Sequence, residues 1–481
     1  MMPPATGLDW AAWVLAIPLA GALLSVLWPR RAPVLGLITG VFTALAVAGA
    51  LDAVWREGPI RGGLGGWQPP LGIALSLDGL SALMLAMTAV VGLATSVYAL
   101  GYLRHSPSRD HFWALWLWLW AALNALFLSG DAFNLYVTLE VVGLAAVALT
   151  ALSGGAGALT AALRYLLVGL LGSLAYLLGV ALLYGGYGVL DLAELGMAMR
   201  PDAASQLAAA LITVGLLLKT ALFPLHVWLP PAHSSAPAPV SAVLSALVVK
   251  AALYLLLRLW LEVFATLPTP GFAQFMGALG VGALLWGSVM ALRAARLKQV
   301  VAYSTVAQLG YLFLGFPLLA GAPQVWPAVV FFALAHACAK ATVFLAAGSL
   351  QQAAGHDRLA GLGPAMRAQR MTVFAFAMAG ASLVGLPLTG GFVAKWLLVQ
   401  VAVQAEAWAL AWLILAGGLF AGGYVFRVLG HAFGRGSTNQ ALAPISAVLP
   451  WSALALALVS VALGFAGPAA LELLARHGEW P

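Results

Sequence analysis

The sequence predicts an all-α polytopic membrane protein with about fourteen transmembrane helices. Of its 481 residues, 63% are hydrophobic and only 8% are charged, and the mean hydropathy is +1.00, whereas a soluble domain carries about 25% charged residues. Apolar windows recur along the whole chain, and the basic residues collect on one side of them. The connections between windows are too short to form a soluble domain.

Each window is about 20 residues long, the length that crosses a hydrocarbon core of about 30 Å. The windows cover residues 10–28, 32–54, 76–100, 112–129, 131–152, 161–184, 205–229, 237–260, 272–292, 297–320, 325–350, 371–400, 407–431 and 444–468. Because Arg30 and Arg31 follow the first apolar run instead of preceding it, that run predicts a first membrane span and not a cleaved signal peptide.

Charged residues in the connections support this count. The connections after odd-numbered windows, with the adjoining span ends, carry the acids Asp110 and Asp357 and the basic residues Arg30, Arg31, Arg104, Arg109, Arg164, Arg293, Arg296, Lys298, Arg358, Arg367, Arg370, Arg427 and Arg435. The other side, which we call the acidic face, carries Arg56, Arg61, Arg200, Arg258 and Arg476 with Asp9, Asp52, Glu57, Asp131, Asp191, Glu194, Asp202, Glu262, Glu406, Glu472 and Glu479. The positive-inside rule then predicts a multi-pass protein of the cell (inner) membrane, with both termini on the non-cytoplasmic side.

Lysine is almost confined to the windows. Four of the five lysines, Lys219, Lys250, Lys340 and Lys395, lie inside them, and the other basic residues are arginines except Lys298. Arginine stays protonated in proteins, but a lysine ammonium can lose its proton when it is desolvated. Lys250 lies roughly 12–15 Å from either end of its window, beyond the reach of its own side chain. We therefore predict that these four lysines are buried for function.

Two acids also fall inside the windows. Glu140 lies in the middle of its window, where a carboxylate needs a partner to stay ionised, and an intramembrane lysine is the expected partner. Asp78 begins its window, where it is expected to act as a helix N-cap or an interfacial charge.

Two histidines accompany the lysines. His226 follows Lys219 by seven residues, and His336 precedes Lys340 by four, so each pair shares a helix face if its helix is continuous. Histidine changes charge near neutral pH. We predict that these pairs are steps of a proton relay.

Helix breakers lie close to two of the lysines. Pro224 follows Lys219, and Pro387, Gly390 and Gly391 precede Lys395. Broken helices inside a membrane are tolerated only within protein or beside water. The two windows cross the membrane in opposite directions, which is the pattern expected for inverted repeats with discontinuous helices.

Cofactor and nucleic-acid binding are not expected. The single cysteine, Cys338, lies in an apolar window, so no thiolate-bound metal or cluster is predicted. No phosphate-binding glycine loop stands in a strand-to-helix setting. The net charge of +7 reflects residues flanking the membrane spans, not a surface for nucleic acid.

Several stretches resemble one membrane-protein family. They are "GDAFNLYVTLE", "LLLKTALFPLHVWLP", "HSSAPAPVSAVLSALVVKAALYLLLR", "RLKQVVAYSTVAQLGY", "HACAKATVF" and "GLPLTGGFVAKW". From about residue 75 to 430 the chain is similar to the antiporter-like subunits shared by Mrp-type multi-subunit cation/proton antiporters, respiratory complex I and membrane-bound hydrogenases.

The resemblance implies a fold and a set of site residues. Helices 4–8 and 9–13 of fourteen would form two inverted five-helix repeats, each containing a broken helix. The chain would divide into residues 1–110 with helices 1–3, 111–262 with the first repeat, 263–435 with the second, and 436–481 with helix 14. By resemblance the proton-transfer residues are Glu140, Lys219, Lys250 and Lys395, and the relay residues are His226, His336 and Lys340.

Within the family, the glutamate at 140, the lysine at 395 and a chain that ends soon after window fourteen most resemble the D-type Mrp protein or a hydrogenase-type relative. We expect a proton-translocating subunit of a Mrp-type Na⁺/H⁺ (monovalent cation/proton) antiporter, a transporter and not an enzyme. The alternatives are a proton-pumping subunit of a complex I-like or hydrogenase-type oxidoreductase, or of a proton-coupled inorganic carbon uptake complex. The expected partners are other integral membrane subunits, protons, Na⁺ for an antiporter, and the lipid bilayer.

Overall fold

The computed structural model describes residues 7–67, 72–267, 270–319, 322, 325–434 and 442–475. Its first half contains the helices α1 (Gly7–Leu27), α2 (Ala32–Glu57), α3 (Gly79–Tyr102), α4 (Arg109–Leu128), α5 (Ala132–Ala151), α6 (Gly155–Tyr187), α7 (Leu192–Ala198), α8 (Ala203–Thr220), α9 (Leu229–Ser235), α10 (Ala238–Val243) and α11 (Val249–Arg258). The second half contains α12 (Pro270–Arg293), α13 (Leu297–Phe313), α14 (Gly315–Leu318), α15 (Val325–Ala354), α16 (Gly363–Ala368), α17 (Arg370–Val384), α18 (Gly390–Gln404), α19 (Trp408–Phe433) and α20 (Val448–Ala475).

The predicted fold class is confirmed. Within the described ranges, 13 helical segments are long and apolar enough to cross a membrane, and the shorter α17 and α18 share the twelfth predicted window. Every one of the fourteen windows is therefore helical, and the helix is broken in windows seven and twelve. The inverted relation of the two repeats stays a prediction. The predicted end of the second repeat, at residue 435, lies outside the described residues. Residues 1–6 and 476–481 at the chain ends also lie outside them.

Two helices stop in the middle of their windows. In the seventh, α8 ends at Thr220, Ala221 is left-handed with φ 58°, and a 3₁₀ turn (Leu225–Trp228) leads into α9. In the twelfth window, α17 ends at Val384 and is followed by the left-handed Gly385, with φ 91°. Helix α18 begins after Thr389, whose side chain caps it. These interruptions leave backbone carbonyls without intrahelical partners.

Two segments that carry Lys250, His336 and Lys340 are buried on all sides over their most apolar stretch. They are residues Ala238–Val263, which join α10 and α11, and α15. A helix that is hydrophobic all round belongs in an interior. In the first segment, α11 lies between two π-helical turns, Leu244–Val248 and Leu259–Val263.

A small β-hairpin departs from the all-helical expectation. Strands β1 (Ile60–Gly63) and β2 (Ala74–Leu77) pair antiparallel, with Ile60 opposite Leu77. The hairpin lies in the connection between α2 and α3. Its Arg61 forms an ion pair with Asp191, 2.9 Å from Nη2 to Oδ1.

Contacts between the connections agree with the alternation of spans. Arg61 and Asp191 both belong to connections after even-numbered windows, and Arg296 pairs with Asp357, 2.8 Å away, between two connections after odd-numbered windows. Each pair therefore lies on one face of the helical bundle, as the count of fourteen requires.

Small residues let helices α6 and α8 approach closely. A Cβ placed on Gly215 would clash with the carbonyl oxygen of Gly172, and one on Gly172 would lie 2.8 Å from that of Gly215. Close backbone approach through small residues is a common way to pack helices in lipid.

We expect the substitution Gly215→Leu to separate α6 from α8 and to destabilise the protein by about 1–3 kcal/mol, because the added side chain overpacks this contact. Thermal unfolding of the detergent-solubilised protein measures the loss. The control is Gly186→Leu on α6, where an added Cβ meets nothing within 4 Å. Equal stability of the two variants would contradict this account of the packing.

Candidate functional site

An ion pair joins α5 to α8 beside the first helix break. The Lys219 ammonium lies 2.7 Å from Oε1 of Glu140, and the side chains are 9% and 19% exposed. The Ser173 hydroxyl donates to the same carboxylate oxygen. The ammonium of Lys219 and the carboxylate of Glu140 thus compensate each other, so neither is an unpaired charge in an apolar setting.

Burial works against the positive charge of Lys219, and local features offset part of that cost. Lys219 lies in the last turn of α8, where the helix dipole attracts a cation. A cavity of about 30 Å³, lined among others by Glu140, Tyr165 and Lys219, opens beside the pair. That volume accommodates about one water molecule.

Lys250 has neutral hydrogen-bond partners. Its side chain is fully buried, and its ammonium donates to the carbonyl oxygen of Ser245 in the π-helical turn that precedes α11. The Ser245 hydroxyl in turn lies 2.9 Å from that of Thr305 on α13. The π-helical turn thus supplies the acceptor for a lysine that has none elsewhere on its own helix.

Polar side chains lie between Lys340 and the second helix break. The Lys340 ammonium donates to the Ser304 hydroxyl and, over 3.0 Å, to the Val301 carbonyl. The Tyr424 hydroxyl accepts from Gln308 Nε2 over 3.3 Å. The Gln308 amide also donates over 3.4 Å to the Leu383 carbonyl at the end of α17.

Lys395 lies in α18, on the other side of the break. Its ammonium donates to the carbonyl oxygens of Leu383 at 2.8 Å and Val384 at 3.0 Å, and lies 4.8 Å from the ring centroid of Tyr311. The break between α17 and α18 leaves these carbonyls free, and the aromatic ring adds a cation–π contact. The Leu383 carbonyl therefore accepts from both Gln308 and Lys395.

The buried histidine His336 lies among the lysines. The charges that act on His336 are those of Lys250, Lys340 and Lys395, and neither of its ring nitrogens has a hydrogen-bond partner among the described residues. His336 and Lys340 both belong to the continuous helix α15, so they share a face.

His226 lies apart from these groups. The expectation that it shares a helix face with Lys219 depended on a continuous helix, and the break after Thr220 removes that condition. His226 instead stacks on Phe223, with ring centroids 5.6 Å apart.

The sequence reasoning missed His233 and misplaced Lys298. His233 in α9 is fully buried, and neither ring nitrogen has a partner among the described residues; the charges of Lys298, Lys340 and Lys250 act on it. Lys298 was expected in a connection beside the surface arginines, which is wrong: it is 2% exposed and donates to the Ala236 carbonyl over 2.5 Å. Lys298 is buried because the first turn of α13 packs against α9.

A signal for both residues existed in the sequence. His233 follows His226 at the same spacing of seven that separates Lys219 from His226. Lys298 is the only lysine among the basic residues of the connections, whereas the others are arginines. The preference for lysine at buried positions therefore holds for all five lysines.

Together these groups form a buried polar axis, which we define as Glu140, Lys219, Lys250, Lys298 and Lys340 with Lys395, His233 and His336. Most of its cations have neutral partners, and an ammonium held only by neutral groups is costly inside a protein. Such an axis can store and pass protons. Among the described residues, no group of three or more His, Cys, Asp or Glu side chains could hold a metal ion.

Comparison with known proteins agrees with the resemblance seen in the sequence. The family profile described as "NADH:quinone oxidoreductase/Mrp antiporter, TM" matches residues 129–421, and the profile "NADH-Ubiquinone oxidoreductase (complex I), chain 5 N-terminus" matches residues 69–113.

Relatives come from two kinds of complex. The N-type membrane protein of NADH-quinone oxidoreductase from Desulforudis audaxviator is 38% identical over 88% of this chain and 86% of its own. The D-type protein of the Na(+)/H(+) antiporter from Alkalihalophilus pseudofirmus is 28% identical over 77% of this chain and 75% of its own. A chain in the structure of the Mrp complex from Dietzia sp. DQ12-45-1b superposes with a TM-score of 0.87 and 25% identity, covering 98% of this chain and 96% of that one.

The predicted resemblance is therefore confirmed. Because the first profile covers more than half of the sequence and a relative above 30% identity extends over most of it, the chain belongs to the NADH:quinone oxidoreductase/Mrp antiporter family of membrane subunits.

Proposed function

We propose that this chain is the proton-translocating subunit of a multi-subunit membrane complex. The observation that carries the proposal is the buried polar axis, in which the Glu140–Lys219 ion pair stands at one helix break and Lys395 at the other. A structural protein gains nothing from five buried lysines, since each one costs desolvation free energy.

In the proposed mechanism, Glu140, Lys219, Lys250 and Lys395 transfer protons. An ion pair at about 4 Å is worth about 4 kcal/mol at an effective dielectric constant of 20, which corresponds to about a thousandfold change in proton affinity. When Glu140 moves away from Lys219, the lysine loses that stabilisation and releases its proton. The first break, at Pro224, keeps this lysine beside water and free backbone.

From there the proton moves along the axis. Lys250 and Lys340, with His336 between them, pass it towards Lys395, and Tyr424 and Gln308 make the region before the second break polar. Pro387, Gly390 and Gly391 keep the second break open beside Lys395. We assign His226 a relay role beside the first break.

We further propose that Lys298 and His233 form the cytoplasmic entrance. They lie at the basic side of the bundle, at the first turn of α13 and in α9. The positive-inside rule makes that side cytoplasmic. The two inverted repeats and the non-cytoplasmic termini belong to the same proposal.

The first candidate complex is a Mrp-type monovalent cation/proton antiporter. It is supported by the D-type antiporter relative and by the superposition on a chain of a Mrp complex. In such an assembly the proton path of this chain would be coupled to Na⁺ movement through other membrane subunits.

The second candidate is the membrane arm of a redox-driven proton pump of the complex I type. It is favoured by the 38% identity to the N-type protein of NADH-quinone oxidoreductase, which exceeds the 28% to the D-type antiporter protein. Both candidates use the same axis and differ in what drives it.

Lys219→Ala should lower proton flux by at least about tenfold, because a proton-transfer group is lost. Lys219→Arg should keep the ion pair with Glu140 and the assembly of the complex but lose flux to the same degree, since arginine does not release its proton. A pH-sensitive dye in inverted membrane vesicles reports the flux after a Na⁺ pulse or a respiratory substrate.

The control for the lysine variants is Asp52→Asn, which breaks an exposed ion pair with Arg56 and should leave flux unchanged. Normal flux in a well-assembled Lys219→Arg complex would overturn the proton-release role of Lys219.

His233→Gln should lower flux by at least about tenfold if this histidine carries protons from the entrance to Lys250. The matched control is His105→Gln, a substitution at an exposed histidine in the connection between α3 and α4. Equal flux in the two variants, measured in the same vesicles, would remove His233 from the path.

The identity of the complex is tested by purifying the chain from its native membrane and identifying the co-purifying subunits by mass spectrometry. We expect small membrane subunits without redox centres, and then Na⁺-dependent proton flux. Subunits that hold iron–sulfur or nickel centres would instead establish the second candidate.

A further inference from the structure

A polar cavity opens on the acidic face, away from the entrance proposed above. It has a volume of about 240 Å³ and lies where the β-hairpin meets the N-termini of α3 and α5 and the end of α11. We call it the vestibule; its polar lining consists of Arg61, Ser76, Asp78, Ser129, Arg258 and Glu262.

Arg258 closes the inner end of the vestibule. The sequence reasoning counted it among the surface residues of the acidic face, which is wrong, because its side chain is only 2% exposed. Its guanidinium lies 2.5 Å from Oδ2 of Asp78 and 2.5 Å from Oε1 of Glu262. Packing of α11 inside the bundle, and not distance from the span end, buries this residue.

Arg258 lies on the same side of α11 as Lys250 of the polar axis. Lys250, Tyr254 and Arg258 follow one another at intervals of four along α11, so they lie on one side of it. Arg258 Nε donates over 2.9 Å to the Tyr254 hydroxyl, which itself donates over 2.7 Å to the Phe127 carbonyl. Lys250 is about 12 Å from Arg258 at 1.5 Å per residue.

The two carboxylates that hold Arg258 differ in freedom. Asp78 is also the N-cap of α3, as expected, and accepts from the Ser81 amide at 2.9 Å, with a side chain 5% exposed. Glu262 is 30% exposed at the mouth of the vestibule. Asp78 is therefore a rigid anchor, and Glu262 a carboxylate that water reaches.

Arginine cannot pass a proton on, since it stays protonated in proteins. Its fixed charge also repels protons and cations that approach from the vestibule. A proton that enters from the vestibule meets this charge before it reaches Lys250.

We infer that the vestibule is a second proton access site of the polar axis, on the acidic face, and that Arg258 is its gate. The ion pair with Asp78 holds the gate closed, and breaking that pair, while Glu262 keeps its own contact with the guanidinium, opens it. This inference rests on the proposed function, in which Lys250 carries protons, but it adds an opening that the path from Lys298 to Lys395 does not contain.

The gate is tested by passive proton leak in liposomes that contain the purified complex, without any driving gradient of Na⁺ or substrate. Arg258→Gln removes one positive charge about 12 Å from Lys250, and the leak should rise by about tenfold at an effective dielectric constant of 20. The matched control is Arg56→Gln, on the same face in an exposed ion pair, which should leave the leak unchanged. An assembled Arg258→Gln complex that is as tight as the wild type would overturn the inference.

Asp78→Asn provides a second variant if Arg258→Gln does not assemble. Asparagine keeps the volume and the capping oxygen of Asp78 but removes the charge that holds Arg258. This variant should leak as well, and a tight Asp78→Asn complex would count equally against the gate.

Labelling of the native cysteine tests whether the route through the vestibule opens. Cys338 is the only cysteine of the chain, is buried, and lies within electrostatic range of Lys250. A small charged methanethiosulfonate should modify Cys338 in Arg258→Gln from the acidic face and spare it in the wild type. Equal modification of the two, or modification only from the other face, would overturn the gate.

The side to which the reagent is added is calibrated with Ser76→Cys in a Cys338→Ser background, because Ser76 lines the vestibule. Driven flux in Lys219→Ala tests the proposed function separately. If the Arg258→Gln complex leaks no more protons than the wild type and Lys219→Ala loses flux as expected, only the gate is rejected. If flux in Lys219→Ala is unchanged, the proposed function is rejected.

Discussion

Three of the buried lysines bind backbone carbonyl groups at points where a helix is irregular. In hydrocarbon a regular helix uses its carbonyls internally, so acceptors occur mainly at breaks, at π-helical turns and at helix ends. Lys395 binds the last carbonyls of α17, Lys250 binds one in a π-helical turn, and Lys298 binds the one that follows α9. Lys340 instead binds a hydroxyl and a carbonyl of α13, and Lys219 binds a carboxylate.

The two helix breaks use this principle in different ways. At the first, Lys219 has a carboxylate partner in Glu140. At the second, Lys395 has carbonyls and an aromatic ring. A charged partner stabilises the ammonium far more strongly than neutral dipoles do, so a proton is held more firmly beside the first break than beside the second.

Much of the fold and part of the site were predictable. The fourteen windows and the side of each charged connection follow from hydrophobicity and charge, and these are properties of single residues and their spacing. The partnership of Glu140 with a lysine followed from the cost of an unpaired carboxylate in lipid. The errors concern Lys298 and Arg258, which the sequence assigned to the surface because each stands near the end of a window. Whether such a residue reaches water depends on the neighbouring helices, and position along the chain carries no information about them.

The sequence by itself determined that this chain crosses the membrane about fourteen times and that four of its lysines belong to the interior, because transfer from water to hydrocarbon separates residue types without reference to any partner. Only the tertiary structure decided which groups meet. It placed His233 among three lysines, brought Lys340 to Ser304 of α13, and brought Arg258 to Asp78 across 180 positions of the sequence. Those contacts join separate helices, and the order of residues within one helix does not specify them.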